Sequence, residues 1–382
     1  MDYPADLRPP HRRVLAEIGV RDEISRNELT ARLELPRATV TGLVRELIAR
    51  GLVIARDSDV TGRRGRPAEM LALAGPATVL GVLHPTAGGL RVAVVTLSGR
   101  ILAEDAHPIG KADFRLDDAA DLLGAVADRA GYPLGELSRV VLSVPAPYQR
   151  GVGAPARRWP GGLSFVPWAL TDPAGELAER TGLRVLAEND ANLGALGEHR
   201  FGAGRGRQSL IYVILGPSSV GAGLIINGGL HRGATGFAGE LAHIQIDDHG
   251  PVCACGGRGC LLQVGTTLLR SAQPAYDEPL SYPRILTLAD GGDPGLGRLL
   301  GDFGRGIGRP LADACTMLNP EAIIVAGATG AGGRHIVDGI REAVNRYAAP
   351  PAAEAVQVLA GETGEQAELL GAVALAQLEA DR

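Results

Sequence analysis

The chain has 382 residues, 45% hydrophobic and 21% charged, with a net charge of −5. That length calls for two or three domains rather than one core, and the composition excludes a disordered chain. No apolar run reaches membrane-spanning length, four cysteines are too few for a disulfide framework, and the opening MDYPADLRPPHRR has no signal-peptide core; the expectation is a cytoplasmic protein with reduced thiols and no membrane partner.

Charge is unevenly spread. Residues 1–75 carry thirteen arginines against eleven acidic residues, while the remainder carries 25 basic against 32 acidic ones. A mildly basic head on an acidic body favours nucleic-acid binding by the head only weakly.

In the head, Ser25-Arg-Asn-Glu28 has capping-box spacing and opens a short helix, SRNELTARLEL. Pro36 suits the first position of the next helix, PRATVTGLVRELIARG, which Gly51 stops. Val40, Leu43, Val44, Leu47 and Ile48 form one apolar face of that helix; Arg37, Thr39, Thr41 and Arg45 form the other. Strands LVIAR and MLALAG follow, with the basic segment TGRRGRP at 61–67 between them. This order spells a winged helix-turn-helix domain over residues 1–75. Arg37, Thr39, Thr41 and Arg45 would face the major groove of operator DNA, and Arg63, Arg64 and Arg66 in the wing would reach phosphates or the minor groove. The competing reading is a solvated basic hairpin on a small helical bundle.

From residue 78 the chain alternates strands and helices. Strands are expected within TVLGVLHPTAGGLRVAVVTLSGRILAE and at RVVLSVPAP, LRVLAEND, LIYVILG and AGLIINGG; helices are expected at DDAADLLGAVADRAG and DPAGELAERTG. A later helix–strand pair, GIGRPLADACTMLNPEAIIVAGATG, repeats the pattern of an α/β body.

The most specific chemistry lies in GFAGELAHIQIDDHGPVCACGGRGCLL, residues 236–262. His243, Cys253, Cys255 and Cys260 offer three thiolates and one imidazole, a set suited to a closed four-coordinate Zn2+ with no position left for water. The site is therefore expected to be structural. Cys315 lies apart, in the apolar pattern of a helix, and is assigned to the core.

Four segments in order, ENDANLGALGE at 188–198, VGAGLIINGGLHRGATGFAGELAHI at 220–244, CACGGRGC at 253–260 and LNPEAIIVAGA at 318–328, resemble the ROK family of bacterial sugar kinases and sugar-responsive repressors. The resemblance runs from about residue 78 to the C-terminus, and the winged head matches the arrangement of the family's repressors. It implies a two-lobed actin-like α/β domain, with a first lobe at 78–188 completed by a C-terminal helix at 366–382, and a second lobe at 189–365. It also implies that Asp190 stands at the catalytic-base position, that Asn189 and Glu240 contact sugar, and that His243 supports Glu240 while bound to zinc.

The phosphate side departs from the family's kinases. His84 stands near an expected aspartate, Leu90 follows the glycines where threonine is expected, and LGPSSVGAG contains Pro217, which has no N–H to donate. The cysteine motif ends GCLLQ, placing Leu262 where the family has a sugar-contacting glutamate, and RWPGGLSFVPW lacks the usual asparagine. The expectation is a DNA-binding transcriptional repressor and not an enzyme, with Asp190 a vestigial base, no ATP, and a homodimeric or homotetrameric body sensing a sugar or related molecule through Asn189, Asp190, Glu240 and His243. Two alternatives stand beside it: an active sugar kinase with a DNA-binding head, and a regulator that has lost sugar sensing.

Overall fold

The computed structural model describes residues 7–19, 21, 23–57, 69–74, 78–86, 88–109, 114–154, 167–216, 219–327 and 330–379. The head comprises α1 (Pro9–Gly19), β1 (Ile24–Ser25), α2 (Arg26–Leu33), α3 (Arg37–Ala49), β2 (Val53–Asp57) and β3 (Glu69–Leu73). Its strands form an antiparallel sheet in the order β1-β3-β2. The capping box forms: Glu28 N donates to Ser25 Oγ at 3.2 Å, and Ser25 N donates to Glu28 Oε2 at 3.0 Å. The first helix ends earlier than its sequence pattern, because Glu34 turns left-handed at φ 52°. Pro36 is the N-cap of α3 rather than its first residue. Helix α1 has no counterpart in the sequence reading, although Val14, Leu15 and Ile18 recur at helical spacing and are buried against α2 and α3.

The body contains two five-stranded sheets of the same design. The first uses β4 (Val79–Thr86), β5 (Gly89–Thr96), β6 (Ile101–His107), β7 (Val140–Val144) and β8 (Val185–Asn189), in the order β6-β5-β4-β7-β8. The second uses β9 (Leu210–Gly216), β10 (Ser219–Ile226), β11 (Gly229–His231), β12 (Ala322–Ala326) and β13 (Gln357–Ala360), in the order β11-β10-β9-β12-β13. In both, the first three strands are antiparallel and the last two run parallel to the first. The short strands β11 and β13 were not anticipated.

Both sheets are buried on two faces, so alternate residues enter different cores. On β9, Ile211, Val213 and Leu215 face the outer core of the second lobe, while Leu210 and Tyr212 face a central core. On β5, Val92 and Val94 point outward toward α4 (Leu116–Arg129) and α5 (Pro173–Thr181), while Ala93 and Val95 point to the same central core. That central layer holds α6 (Asp190–Phe201) and α12 (Ala367–Leu378). The C-terminal helix thus begins one residue inside its expected span, and residues 380–382 lie outside the described ones. The two helices touch through glycines: a Cβ on Gly371 would fall 1.8 Å from Leu193 O, and one on Gly197 2.1 Å from Ala367 O.

The outer face of the second lobe carries α7 (Leu261–Arg270), α8 (Tyr282–Asp290), α9 (Pro294–Leu318), α10 (Gly330–Tyr347) and α11 (Pro350–Ala355). Cys315 is buried there, as assigned. No helix among the described residues is long and apolar enough to cross a membrane.

Candidate functional site

Three groups of residues carry chemistry. In the head, Val40, Val44 and Leu47 of α3 are fully buried, and Leu43 nearly so. Arg37, Thr39 and Arg45 are exposed on the opposite side, with Thr41 at its margin, donating its hydroxyl to Arg37 O at 2.8 Å. Helix α1 braces α3 through Glu46, whose carboxylate receives Arg8 Nη2 at 2.9 Å and lies 2.8 Å from His11 Nε2. Arg26 Nε meets Glu69 Oε2 at 2.6 Å, tying α2 to β3 at the base of the hairpin. The wing residues Arg63, Arg64 and Arg66 lie outside the described residues.

The second group sits where β8 passes into α6. Asn189 is the N-cap, its Oδ1 accepting from Asn192 N at 3.1 Å. Its amide nitrogen donates to Ala146 O at 3.0 Å and to Asp190 Oδ1 at 3.1 Å. Both N–H bonds of Asn189 are therefore engaged within the protein, leaving its carbonyl lone pair as the atom open to a further partner. Asp190 Oδ1 also accepts from Ala191 N at 2.8 Å. Glu240 approaches from the second lobe, and burial, reinforced by the charge of Asp190, pushes its carboxyl up to about 7. The carboxylates of Asp190 and Glu240 are thus near enough for their charges to interact.

Glu188, one residue before Asn189, was missed by the sequence reading. Its side chain is fully buried. Oε2 receives Arg232 Nε at 2.7 Å and Arg150 Nη2 at 3.2 Å, and Oε1 receives Asn189 N at 3.1 Å and Asn192 Nδ2 at 3.0 Å. A charged residue ending the apolar strand VLAE was the available signal, since a carboxylate buried there requires charged partners. Those partners, 38 and 44 residues away in sequence, were not legible.

The third group is the cysteine cluster. One donor atom from each of His243, Cys253, Cys255 and Cys260 lies within 4.8 Å of all the others. Cys253 Sγ is 3.5 Å from His243 Nδ1, and Cys255 Sγ is 3.5 Å from Cys260 Sγ. Burial holds the His243 imidazole below its ordinary value, which favours the neutral form able to ligate. The donor set fits a metal ion: soft ligands, no carboxylate, and mutual distances that a four-coordinate cation would span. Glycines make the loop possible. Gly259 has φ 64°, and a Cβ there would fall 1.6 Å from Asp247 O. The cluster joins two elements, because His243 ends the 3-10 turn Leu241–His243 that Glu240 caps, and Cys260 caps α7.

The phosphate side is only partly described. His84 lies in β4, its Nδ1 3.0 Å from Ser143 Oγ on β7. Gly89 cannot be replaced in the β4–β5 hairpin, because at φ 148° a Cβ would fall 1.9 Å from His107 O. Leu90 is buried in the first-lobe core, and Leu262 packs against the core of the second. Pro217 and residues 158–166 lie outside the described residues.

Residues 90–379 match the family model described as ROK family. The chain belongs to the ROK family. Residues 5–64 match the MarR family, in agreement with the winged helix. Among ROK proteins, the xylose repressor of Bacillus spizizenii is 29% identical over 367 residues, covering 94% of this chain and 92% of that protein. The glucokinase of Thermotoga maritima is 32% identical over 252 residues, covering 60% of this chain and 79% of the enzyme. A crystal structure of a ROK family transcriptional regulator, a homolog of the E. coli MLC protein, superimposes with a TM-score of 0.73 at 24% identity over 96% of both chains. The ROK fold and the winged head are therefore shared with a regulator end to end, and the body alone with a kinase.

Proposed function

We propose that this chain is a DNA-binding transcriptional repressor whose ROK body senses a sugar or related small molecule. The observation that carries the reading is α3, buried along one side and presenting Arg37, Thr39 and Arg45 to solvent along the other, in a chain that aligns over nearly its whole length with a repressor. Arg37, Thr39, Thr41 and Arg45 enter the major groove of the operator, and Arg63, Arg64 and Arg66 contact its backbone. The body, a first lobe at 78–188 with the C-terminal helix and a second lobe at 189–365, assembles as a homodimer or homotetramer and presents paired heads to a palindromic site.

Asp190, Glu240, His243 and the carbonyl of Asn189 form the ligand-facing set. His243, Cys253, Cys255 and Cys260 hold a structural Zn2+, which would fix the turn bearing Glu240 against α7. Helix α6 would link the ligand set to the head: it begins at Asp190, and Arg200 in its last turn adds, after burial and Arg32, to the lowering of the Arg21 guanidinium. A ligand that favours one lobe arrangement would thereby shift the heads.

The test is fluorescence anisotropy of the full chain against DNA from upstream of its own gene, at two salt concentrations. We expect tight, strongly salt-dependent binding that the double variant Arg37→Ala/Arg45→Ala weakens at least about tenfold, with a shallower salt slope. Equal binding by that variant would overturn the assignment of α3. Sugar-kinase activity is the second reading, favoured by the proximity of the Asp190 charge to Glu240 and by the glucokinase relative. His84 and Pro217 in place of the kinases' phosphate-loop residues argue against it, and ATP-dependent phosphorylation of a hexose by the purified protein would establish it.

A further inference from the structure

Residues 232–240 cross from the second lobe to the first. At one end the segment is pinned to its own lobe: Ala222 N on β10 donates to Gly239 O at 3.1 Å, and a Cβ on Gly239 would fall 2.1 Å from Ala222 O. The rest of the segment touches the other lobe. A Cβ on Gly236 would fall 2.2 Å from Tyr148 O, so the two backbones are in direct contact. Arg232 Nε meets Glu188 Oε2 at 2.7 Å, from a loop following β11 to the last turn of β8. Ala238 N closes the segment on itself by donating to Arg232 O at 3.2 Å. Glu240 is the last residue of the segment.

The Glu188 carboxylate divides its two oxygens between two tasks. Oε2 holds the arginines, and Oε1 holds the first turn of α6 through Asn189 N and the Asn192 side chain. Arg150 continues the chain of charges, its Nη1 reaching Glu379 Oε1 at 2.9 Å beyond the end of α12. An isolated carboxylate this deeply buried would be strongly disfavoured, so Glu188 keeps its orientation only while its charge partners stay in place.

We propose that residues 232–240 are an interlobe strap, that Arg232 is its latch, and that Glu188 is the positioning residue that couples strap closure to the first turn of α6. The inference rests on the ligand-cleft reading only in assigning Glu240 and Asp190 to one site. When the strap lifts, Oε2 loses Arg232 and passes to Arg150 alone. The carboxylate then rotates and Oε1 relaxes its hold on Asn189 and Asn192. A ligand bridging Glu240 and Asp190 would favour the latched state, and α6 would carry that state toward the head.

The experiment is hydrogen–deuterium exchange of the full-length protein, read peptide by peptide. In Arg232→Gln, exchange across 232–240 should rise about tenfold and exchange in the first turn of α6 about threefold, with β9 and β12 unchanged. Arg232→Lys, which keeps the charge, should restore part of the protection. Unchanged exchange at 232–240, or a rise of the same size in β9, would overturn the latch. Should Arg232→Gln fail to fold, Arg150→Gln provides the second measurement: it leaves the latch pair intact, so loss of protection at 232–240 would overturn the proposal, and loss confined to the end of α12 would support it. Exchange is read without DNA. A negative result therefore rejects the latch and leaves the repressor reading standing, whereas failure of the unsubstituted protein to bind DNA does the reverse.

Discussion

The two lobes share one strand order and one pattern of strand directions, yet the helices that follow their last strands are capped differently. Helix α6 follows the last strand of the first sheet, and α12 follows the last strand of the second, so their N-termini occupy equivalent places. At α6 the cap is polar and interlinked, with Glu188, Asn189, Asp190 and Asn192 joined by hydrogen bonds. At α12 the cap, Gln366, makes no side-chain capping bond, and Glu368 in the first turn is buried near Tyr212 instead. The crossovers differ as well. Between β6 and β7 the first lobe inserts α4, whereas between β11 and β12 the second inserts the cysteine loop and three helices. A repeated scaffold thus carries unlike insertions, and the proposed ligand set belongs to only one of the two helix ends.

The strongest way to break this asymmetry is at the cysteine loop, which has no equivalent in the first lobe. Cys260→Ser should reduce metal content from about one ion per chain to near zero, with a loss of stability on the order of several kcal/mol, since binding a structural ion contributes directly to folding. Elemental analysis and thermal melts measure both. A variant that kept its metal and its melting temperature would remove the clip from the second lobe.

Glu188→Ala comes next. It leaves two arginines facing a buried void, and we expect a loss of about 3–5 kcal/mol in denaturant titration. A loss below about 1 kcal/mol would mean that the α6 cap is no more important than the bare cap of α12.

A smaller effect is read through pH. Burial pushes Glu368 up to about 7 from an ordinary 4.5. The folded state therefore binds this proton more tightly than the unfolded chain. Its stabilising contribution is complete below about 4.5 and is lost as pH rises through about 7, with a slope of at most about 1.4 kcal/mol per pH unit. Glu368→Gln should flatten that part of the stability profile; an unchanged slope would place the titration elsewhere. Glu240 shares the same window, so its double replacement with Glu368 should flatten the profile further.

The smallest effect concerns the counterpart of Glu188 at the far end of α6. Glu198 is also fully buried, and its Oε1 accepts Thr363 N at 2.8 Å and Thr363 Oγ1 at 2.6 Å, tying the turn after β13 to α6. Thr363→Val removes one of these bonds and keeps the other. The expected loss is about 1 kcal/mol by denaturant titration.

Much of this molecule was legible in local patterns. Ser25 and Glu28 announced a helix start because the capping box is completed within four residues. The apolar stripe of α3 gave its orientation, and three cysteines with a histidine gave the metal-type cluster, since ligand chemistry is carried by residue type and short spacing. What escaped had non-local causes. Helix α1 hid behind an arginine- and proline-rich opening, and its importance lies in bracing α3 through Glu46, which only packing reveals. Strands β11 and β13 are three and four residues long, too short for a period-2 pattern to register.

By itself the sequence determined the order of the units, the residue types exposed along α3 and gathered in the cysteine cluster, and the alternation that buries each sheet on both faces. Tertiary structure decided the roles of Asn189 and Glu188. One has its amide drawn inward by Ala146 O and Asp190; the other takes guanidinium groups from both lobes. The physical reason is that a polar side chain's function depends on which partners complete its hydrogen bonds, and in a two-lobed fold those partners come from segments that meet only once the chain has folded.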